Sequence, residues 1–190
     1  MAIPRHVDGS LETFANNPDL TSLKYCVERN EARRHRAYFD SENNPTIGIG
    51  FNLRRKDARQ KIEALGVNYD QACNQQIELT DDQIDTLLIA DLMAATDDAS
   101  ALFPNFHNLN TARQIILVDM AFNLGKNRLS GFRKMIAAVT AEDWEEAANQ
   151  MIGSAWYHQV KSRGERNVEV MRTGELVAEY LPVGISAAIV

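Results

Sequence analysis

Residues 31–50 read EARRHRAYFDSENNPTIGIG, and this stretch decides how the chain can fold. At its end and just beyond, apolar and small residues alternate: Ile47, Ile49 and Phe51 against Thr46, Gly48 and Gly50. Successive residues of a strand point to opposite faces, so the alternation predicts a strand with one buried face and one face almost free of side chains. Glycine inside a strand often marks close approach of a ligand or of another backbone. The bare face is therefore either the floor of a binding groove or a bend against a neighbouring element.

Turn-forming residues separate this strand from the chain before it. Positions 41–45 read SENNP, and a proline favours an extended conformation for the residue before it. Residues 37–40 are then predicted to form the first strand of a hairpin. Asp40 and Thr46 should flank the hairpin loop and lie close together in space.

A second carboxyl group, that of Glu31, is predicted to lie near the same loop. Apolar residues at 20, 23 and 27 have helical spacing, which predicts a short helix running into Glu31. Hydrolysis of a glycosidic bond uses a pair of carboxyl groups, one to protonate the leaving oxygen and one to activate water or to attack. Glu31 suits the acid and Asp40 the base. The alternative is that Glu31, close to arginines at 29, 33 and 34, belongs to an ordinary solvated helix end.

The pattern E-x8-D-x5-T-I-G-I-G resembles the catalytic segment of the phage-type lysozymes, the muramidases typified by the lysozyme of T-even bacteriophages. Spacings between glutamate, aspartate and threonine agree without a gap. The resemblance returns in the second half, at residues 119–125 (DMAFNLG), 130–132 (SGF), 144–148 (WEEAA), 154–159 (SAWYHQ) and 172–174 (RTG), with arginines at 163 and 166. It covers roughly residues 20–182 in unbroken order.

The resemblance implies an α+β, mainly helical fold. A small N-terminal lobe with a β-hairpin or short antiparallel sheet would be joined by a long helix to a larger, all-helical C-terminal lobe. The expected division is an N-terminal extension (1–19), the N-terminal lobe with the catalytic hairpin (20–79), the connecting helix (80–97), the helical lobe (98–182) and an apolar tail (183–190).

The resemblance also implies a reaction, which is hydrolysis of the β-1,4 bond between N-acetylmuramic acid and N-acetylglucosamine in peptidoglycan. Glu31 would be the general acid, with Arg163 as its supporting partner. Asp40 and Thr46 would hold and activate the attacking water, so that the anomeric configuration is inverted. Inverting enzymes keep their two carboxyl groups about 6.5 to 9.5 Å apart to admit this water.

Substrate contacts implied by the resemblance are less complete. Leu53 and Phe122 match residues that line the sugar cleft of the family, and Gly48 and Gly50 belong to the proposed groove floor. Two further cleft positions fall on residues unusual for the family, at 135 and 150. Subsite preference therefore does not follow from the resemblance.

Local signals place the other helices. A segment over 56–65 should end at Gly66, and Thr80 with Gln83 forms a capping-box pattern ahead of the connecting helix. Residues 111–124 are apolar on most faces, which predicts a buried central helix closed by Gly125. Two more helices are expected, over 142–151 after a threonine at 140, and from the S-x-x-E pattern at 162–165 to a glycine at 174.

Composition limits the remaining function classes. The chain has 190 residues, of which 45% are hydrophobic, with a net charge of −6 and a pI near 5.2. The acidity argues against nucleic acid as a partner, and the apolar runs are too short for a membrane span. Cys26 and Cys73 show no metal-ligand spacing and the four histidines are scattered, so neither a metal nor another cofactor is expected.

Peptidoglycan is the expected partner of a monomeric protein, together with a holin, a secretion apparatus or an immunity protein. No signal peptide is visible, so synthesis in the bacterial host cytoplasm and action in the periplasm or cell wall are expected. An endolysin, a tail lysozyme and a delivered antibacterial effector all fit this description. Two other activities stay open: a peptidoglycan-binding protein without turnover, and a lytic transglycosylase, which needs only one glutamate and forms a 1,6-anhydro product.

Overall fold

The computed structural model describes Ile3 and residues 16–40 and 43–181. The apolar tail at 183–190, and most of the extension at 1–19, lie outside the described residues. Within the described part, the elements in chain order are α1 (Pro18–Asn30), β1 (Arg33–Phe39), β2 (Pro45–Ile49), β3 (Phe51–Asn52), α2 (Ala58–Ala64), α3 (Tyr69–Cys73), α4 (Asp81–Leu102), α5 (Thr111–Leu129), α6 (Arg133–Thr140), α7 (Trp144–Ile152), α8 (Ala155–Val160) and α9 (Ser162–Thr173), with short 3-10 turns at Phe106–Asn108 and Ala178–Tyr180.

The three strands form one antiparallel sheet in the order β1-β2-β3. Helices make up most of the remaining described chain, and α4 packs both on β2 and along α5. The α+β, mainly helical fold with a small sheet-bearing lobe and a larger helical lobe is confirmed. Among the described helices, none is long and apolar enough to cross a membrane.

Helix α1 places Glu31 where the chain turns into the sheet. The side chain of Asn17 accepts hydrogen bonds from the backbone N–H groups of Asp19 and Leu20, and Pro18 fits the first helical position because it lacks an N–H that would need a partner. The helix ends when Glu31 adopts an extended backbone conformation. Its side chain can then leave the helix surface and point towards the strands.

Strand β2 differs from the predicted strand with one bare face. Thr46 is only 3% exposed and Gly48 is also buried, so both faces of the strand are covered. Gly48 has a φ of +66°, and a Cβ built on it would lie 3.6 Å from the side chain of Ile84 in α4. The positive φ interrupts the alternation of faces. For Gly48 the alternative interpretation, a bend against a neighbouring element, is therefore correct.

The capping signals at α4 and α5 mostly agree with the structure. Thr80 and Gln83 form the predicted capping box, although α4 runs to Leu102 rather than ending at residue 97. At the predicted end of the central helix, Gly125 has φ 72° and ψ 158°, a break after which helical turns resume as far as Leu129. The helix predicted over 111–124 therefore closes at Gly125 as predicted, and a second helical segment follows it.

Helices α7 and α9 begin at different residues from those predicted. Asp143 caps α7 by accepting a hydrogen bond from the N–H of Glu146, so this helix starts at Trp144. Ser162 is already inside α9, and Lys161 occupies the cap position with no side-chain capping bond. The capping box expected at 162–165 is therefore absent. Gly174 ends α9 in the left-handed conformation, as predicted.

Candidate active site

The two oxygens of the Glu31 carboxyl group face different surroundings. Oε1 accepts a hydrogen bond of 2.6 Å from Nη1 of Arg163, a residue near the start of α9. Oε2 lies 3.9 Å from the position that a Cβ would take on Gly50, and the ring of Phe122 is 3.7 Å from the same position. The Glu31 side chain is 25% exposed. One oxygen is thus held by a cation, while the other faces the small space beside Gly50.

Arg163 is fixed from behind by a buried carboxylate. Its Nε and Nη2 donate to the two oxygens of Asp119, at 2.9 and 2.8 Å, and Asp119 is 0% exposed. The amide groups of Asn30 and Asn167 donate to the same carboxylate, at 3.1 and 2.8 Å. Burial alone would lower the pKa of Arg163, but Asp119 and then Glu31 raise it above its usual value, so the guanidinium remains charged.

Sequence reasoning missed Asp119. The available signal was a charged residue in the otherwise apolar run 115–122, because a buried charge needs a partner of opposite sign. Spacing gives no indication of which cation pairs with it, since Arg163 lies 44 residues further along the chain.

Asp40 and Thr46 lie on the two sides of the hairpin loop. The carboxylate of Asp40 accepts from the backbone N–H of Asn44 at 2.8 Å and from its side-chain amide at 3.3 Å. The hydroxyl of Thr46 donates to the backbone carbonyl of Asn44 at 3.2 Å. Because a hydroxyl has two acceptor lone pairs, Thr46 can still accept a hydrogen bond while it donates this one.

Tyr38 is a further residue of this region that the sequence did not indicate. It is paired across the sheet with Thr46, just beyond the irregularity in the β1–β2 register. Burial raises the pKa of the Tyr38 phenol, and the negative charges of Glu31 and Asp40 raise it further. The phenol therefore lies within electrostatic range of both carboxyl groups and remains a hydrogen-bond donor at neutral pH.

The structure places only some of the predicted substrate-binding residues near Glu31. Leu53 is 0% exposed and lies in the core, and its contact with a sugar stays a prediction. Gly48 packs on α4 and does not face open space. Gly50 is exposed, and the half-buried Phe122 lies next to it and to Glu31.

A larger surface cavity of about 630 Å³ is formed by α5 to α8. Its lining includes both cleft positions that depart from the family pattern, Met135 and Gln150, and Trp156. The indole N–H of Trp156 donates to Asn123 at 2.8 Å, which connects this cavity to the residues around Glu31. Three cations also line it: Arg128, Arg133 and Lys134.

A mainly helical α+β fold with an acid at the end of the first helix, and a second carboxyl on the adjoining hairpin, has the features of a glycoside hydrolase. The sequence model of the phage lysozyme family matches residues 28–172. The chain therefore belongs to the phage lysozyme family and is a lysozyme-type glycoside hydrolase that acts on peptidoglycan.

Curated relatives of two kinds are similar to this chain. The pre-baseplate central spike protein Gp5 of Enterobacteria phage T4 is 30% identical over 168 residues, which are 85% of this chain but only 29% of that protein. Probable T4-type lysozymes 2 and 1 of Dictyostelium discoideum are each 28% identical, over 83% and 84% of this chain. The alignments cover 97% and 98% of those two proteins.

Proposed function

We propose that the chain is an inverting muramidase that cleaves the β-1,4 bond between N-acetylmuramic acid and N-acetylglucosamine, with Glu31 as the general acid. The observation that carries this proposal is the two-sided environment of Glu31. Arg163 binds Oε1 at 2.6 Å, and Oε2 faces Gly50 and Phe122. A glycosidic oxygen bound beside Gly50 would meet the oxygen that Arg163 does not occupy.

In the proposed reaction, Glu31 gives its proton to the leaving oxygen as the bond from that oxygen to the anomeric carbon breaks. A water molecule held between Asp40 and Thr46 attacks the anomeric carbon from the opposite face, and Asp40 takes one of its protons. Arg163 stabilises the Glu31 carboxylate that results. Solvent returns a proton from Asp40 to Glu31 before the next turnover, and the product has the inverted configuration.

The glycan would extend from Glu31 over Phe122 towards the cavity that contains Trp156 and Gln150. An aromatic wall and an amide suit a sugar ring, because the ring has apolar faces and polar edges. In this arrangement Leu53 is a core residue directly after β3, and Gly48 lets β2 pack on α4. Gly50 is the proposed point of close approach to the substrate.

Substitution of Glu31 by glutamine tests the proposal directly. An amide cannot act as a Brønsted acid, so the release of reducing ends from purified cell walls should fall by a factor of about 10² to 10⁴. Thermal unfolding should show that Glu31→Gln remains folded. Glu169→Gln, at an exposed position of α9, is the matched control and should keep wild-type activity.

The products distinguish the related activities. NMR spectra recorded during the first turnovers should show the inverted anomer at the new reducing end. Mass spectrometry that found 1,6-anhydro ends would show a lytic transglycosylase instead. A wild-type protein that binds walls but releases no reducing ends would be a binding protein, and the muramidase proposal would fail.

We further propose that the protein is made in a bacterial host cell and acts in the periplasm or cell wall, either as an endolysin or as a delivered lysozyme. The similarity to a segment of a phage spike protein supports a delivered enzyme in a larger assembly. Neighbouring genes test this: a holin gene would indicate an endolysin, and secretion or immunity genes would indicate a delivered effector. Size-exclusion chromatography with light scattering would test the expected monomer.

A further inference from the structure

Positive charge is concentrated at the larger cavity, which measures about 630 Å³. Three cationic side chains line it, those of Arg128, Arg133 and Lys134, and none of the described residues in its lining has a carboxyl group. The whole chain has a net charge of −6, so a general excess of basic residues does not explain this concentration. The cavity is therefore a local positive region on an acidic protein.

The three cations have no neutralising partner within the part of the chain that the structure describes. The neighbouring Lys126 pairs with Asp98 of α4 at 3.6 Å, whereas no carboxylate lies within ion-pair distance of the three lining cations. All three side chains are exposed. An anion could therefore bind to them without breaking an ion pair inside the described protein.

The other walls of the cavity are aromatic, apolar and amide-bearing. Trp156 and Met135 are both buried and contribute to the lining. Because the indole N–H of Trp156 is already bound to Asn123, the ring offers the cavity only apolar surface. Nε2 of Gln150 donates to Glu146 at 2.8 Å, which leaves the amide oxygen of Gln150 for a ligand hydroxyl. An aromatic wall with an amide beside it suits a sugar ring, which has apolar faces and polar edges.

The number of cations indicates the kind of anion. A single carboxylate would neutralise only one of the three, whereas a phosphate ester carries a charge of about −1.5 to −2 at pH 7 and has three strong acceptor oxygens. Arginine binds phosphate through two parallel hydrogen bonds, and lysine binds it as a point charge. A sugar that carries a phosphate ester would therefore match both the cationic rim and the aromatic wall.

We propose that this cavity binds a phosphorylated sugar, with the phosphate held by the three cations and the ring packed against Trp156. The cavity lies in the path proposed for the glycan, so the site would give the protein a preference for wall glycans that carry phosphate groups. This preference rests on the proposed muramidase function. Binding of the phosphorylated sugar does not, because it needs no cleavage at Glu31.

Isothermal titration calorimetry on the full chain tests the binding, with N-acetylglucosamine 6-phosphate as the probe. The comparison ligands are unphosphorylated N-acetylglucosamine, inorganic phosphate and a dipeptide of glutamate. The sugar phosphate should bind about tenfold more tightly than each of them. Equal affinity for inorganic phosphate would show a general anion site, and equal affinity for the dipeptide would show a site for acidic peptides. Either result, or no binding of the sugar phosphate, would overturn the proposal.

Substitutions locate the site. Arg133→Gln and Lys134→Gln should each weaken binding of the sugar phosphate by about tenfold and leave binding of N-acetylglucosamine nearly unchanged. Arg59→Gln is the matched control, because it removes the same charge from an exposed position on α2 outside this cavity, and it should leave both affinities unchanged. Equal weakening by the control and by the two cavity variants would place the phosphate elsewhere and would refute the assignment.

The substrate preference is measured separately, on wall glycans that retain their phosphate groups and on the same glycans after chemical removal of phosphate. The wild-type protein should have the higher kcat/KM on the phosphate-bearing glycans, and Arg133→Gln should lower the ratio of the two values by about tenfold, mainly through KM. Equal kcat/KM values for the wild type would contradict the preference. Wild-type protein that hydrolyses neither glycan would contradict the proposed muramidase function instead, and the calorimetry would still decide whether the sugar phosphate binds.

Discussion

Arg163 shares one guanidinium group between two carboxylates with different tasks. Glu31 is the proposed general acid, whereas Asp119 is completely buried and accepts hydrogen bonds from four donor groups of three side chains. Asp119 binds two nitrogens of the guanidinium group, and the third nitrogen is left to hold the Glu31 side chain at the end of α1.

Asp119→Asn tests this arrangement. Removal of one partner of a buried ion pair leaves the other charge incompletely compensated, so urea unfolding should show that the free energy of unfolding falls by about 3 to 5 kcal/mol.

The control for this variant is Asn167→Ala, which removes one hydrogen bond to Asp119 and one from Tyr180 but no charge. It should lower the free energy of unfolding by only about 1 to 3 kcal/mol. An Asp119→Asn protein as stable as the wild type would contradict this role of the buried carboxylate.

The catalytic candidates could be located from sequence, but their surroundings could not. Spacing and turn chemistry are local, and they predicted that Asp40 and Thr46 would flank one loop. The partner of Arg163, and the different environments of Gly48 and Gly50, depend on contacts with helices far along the chain. The sequence pattern therefore assigned the same role to both glycines, although only Gly50 borders the acid.

At the scale of elements, helix α5 is kinked at Gly125, whose backbone conformation is not helical. Gly125 has φ 72° and ψ 158°, a conformation that is essentially restricted to glycine and costs other residues about 1 to 3 kcal/mol. The break lies immediately after the segment that contributes Phe122 and Asn123 to the site. It allows one continuous stretch of chain to border the acid and then the larger cavity.

Gly125→Ala should therefore lower the free energy of unfolding by about 1 to 3 kcal/mol, although a Cβ at this position would have open space around it. Gly153→Ala is the matched control, because its backbone is right-handed and its Cβ would make only an ordinary 3.5 Å contact. Urea unfolding should show a change within about 0.5 kcal/mol for the control. Equal stability of both variants would mean that the break is not conformationally demanding.

The turn before α2 is joined to α4 by charged side chains. Arg55 donates two hydrogen bonds to Asp57 and one to Asp91 of α4. The hydrogen bond from Arg55 lowers the pKa of Asp57 to about 2, although burial opposes it. The ionised Asp57 carboxylate thus stabilises the folded protein above the unfolded pKa of about 4. This stabilisation is lost as the pH falls through about 2.

Asp57→Asn should consequently destabilise the protein at pH 6 by about 0.5 to 1 kcal/mol, a small value because the pair is solvated. The difference from the wild type should disappear near pH 2. Asp97→Asn, at an exposed position of α4, should change the free energy of unfolding at pH 6 by less than about 0.5 kcal/mol. Urea titrations at both pH values measure the effect, and a difference that persisted at pH 2 would exclude the ionised carboxylate as its source.

At the scale of the whole molecule, Ile3 is packed into the core beside α5. Ile3 is only 3% exposed, and its backbone N–H donates to the buried side chain of Gln114 in α5 at 2.7 Å. Gln114 in turn donates to the backbone carbonyl of Phe106 at 2.8 Å. Ile3, which lies in the segment predicted as a separate extension, therefore contributes to the same core as the central helix.

The packing of Ile3 and its hydrogen bond to Gln114 make this residue important for the stability of the protein. Ile3→Ala should lower the free energy of unfolding by about 2 to 4 kcal/mol, because it leaves a cavity against α5, whereas Ile3→Val should cost only about 0.5 to 1.5 kcal/mol. In native-state hydrogen exchange, the amide of Ile3 should be protected to a similar extent as that of Val118 in the middle of α5. Rapid exchange at Ile3, together with a cost below about 0.5 kcal/mol for alanine, would show that Ile3 is not part of the cooperative core.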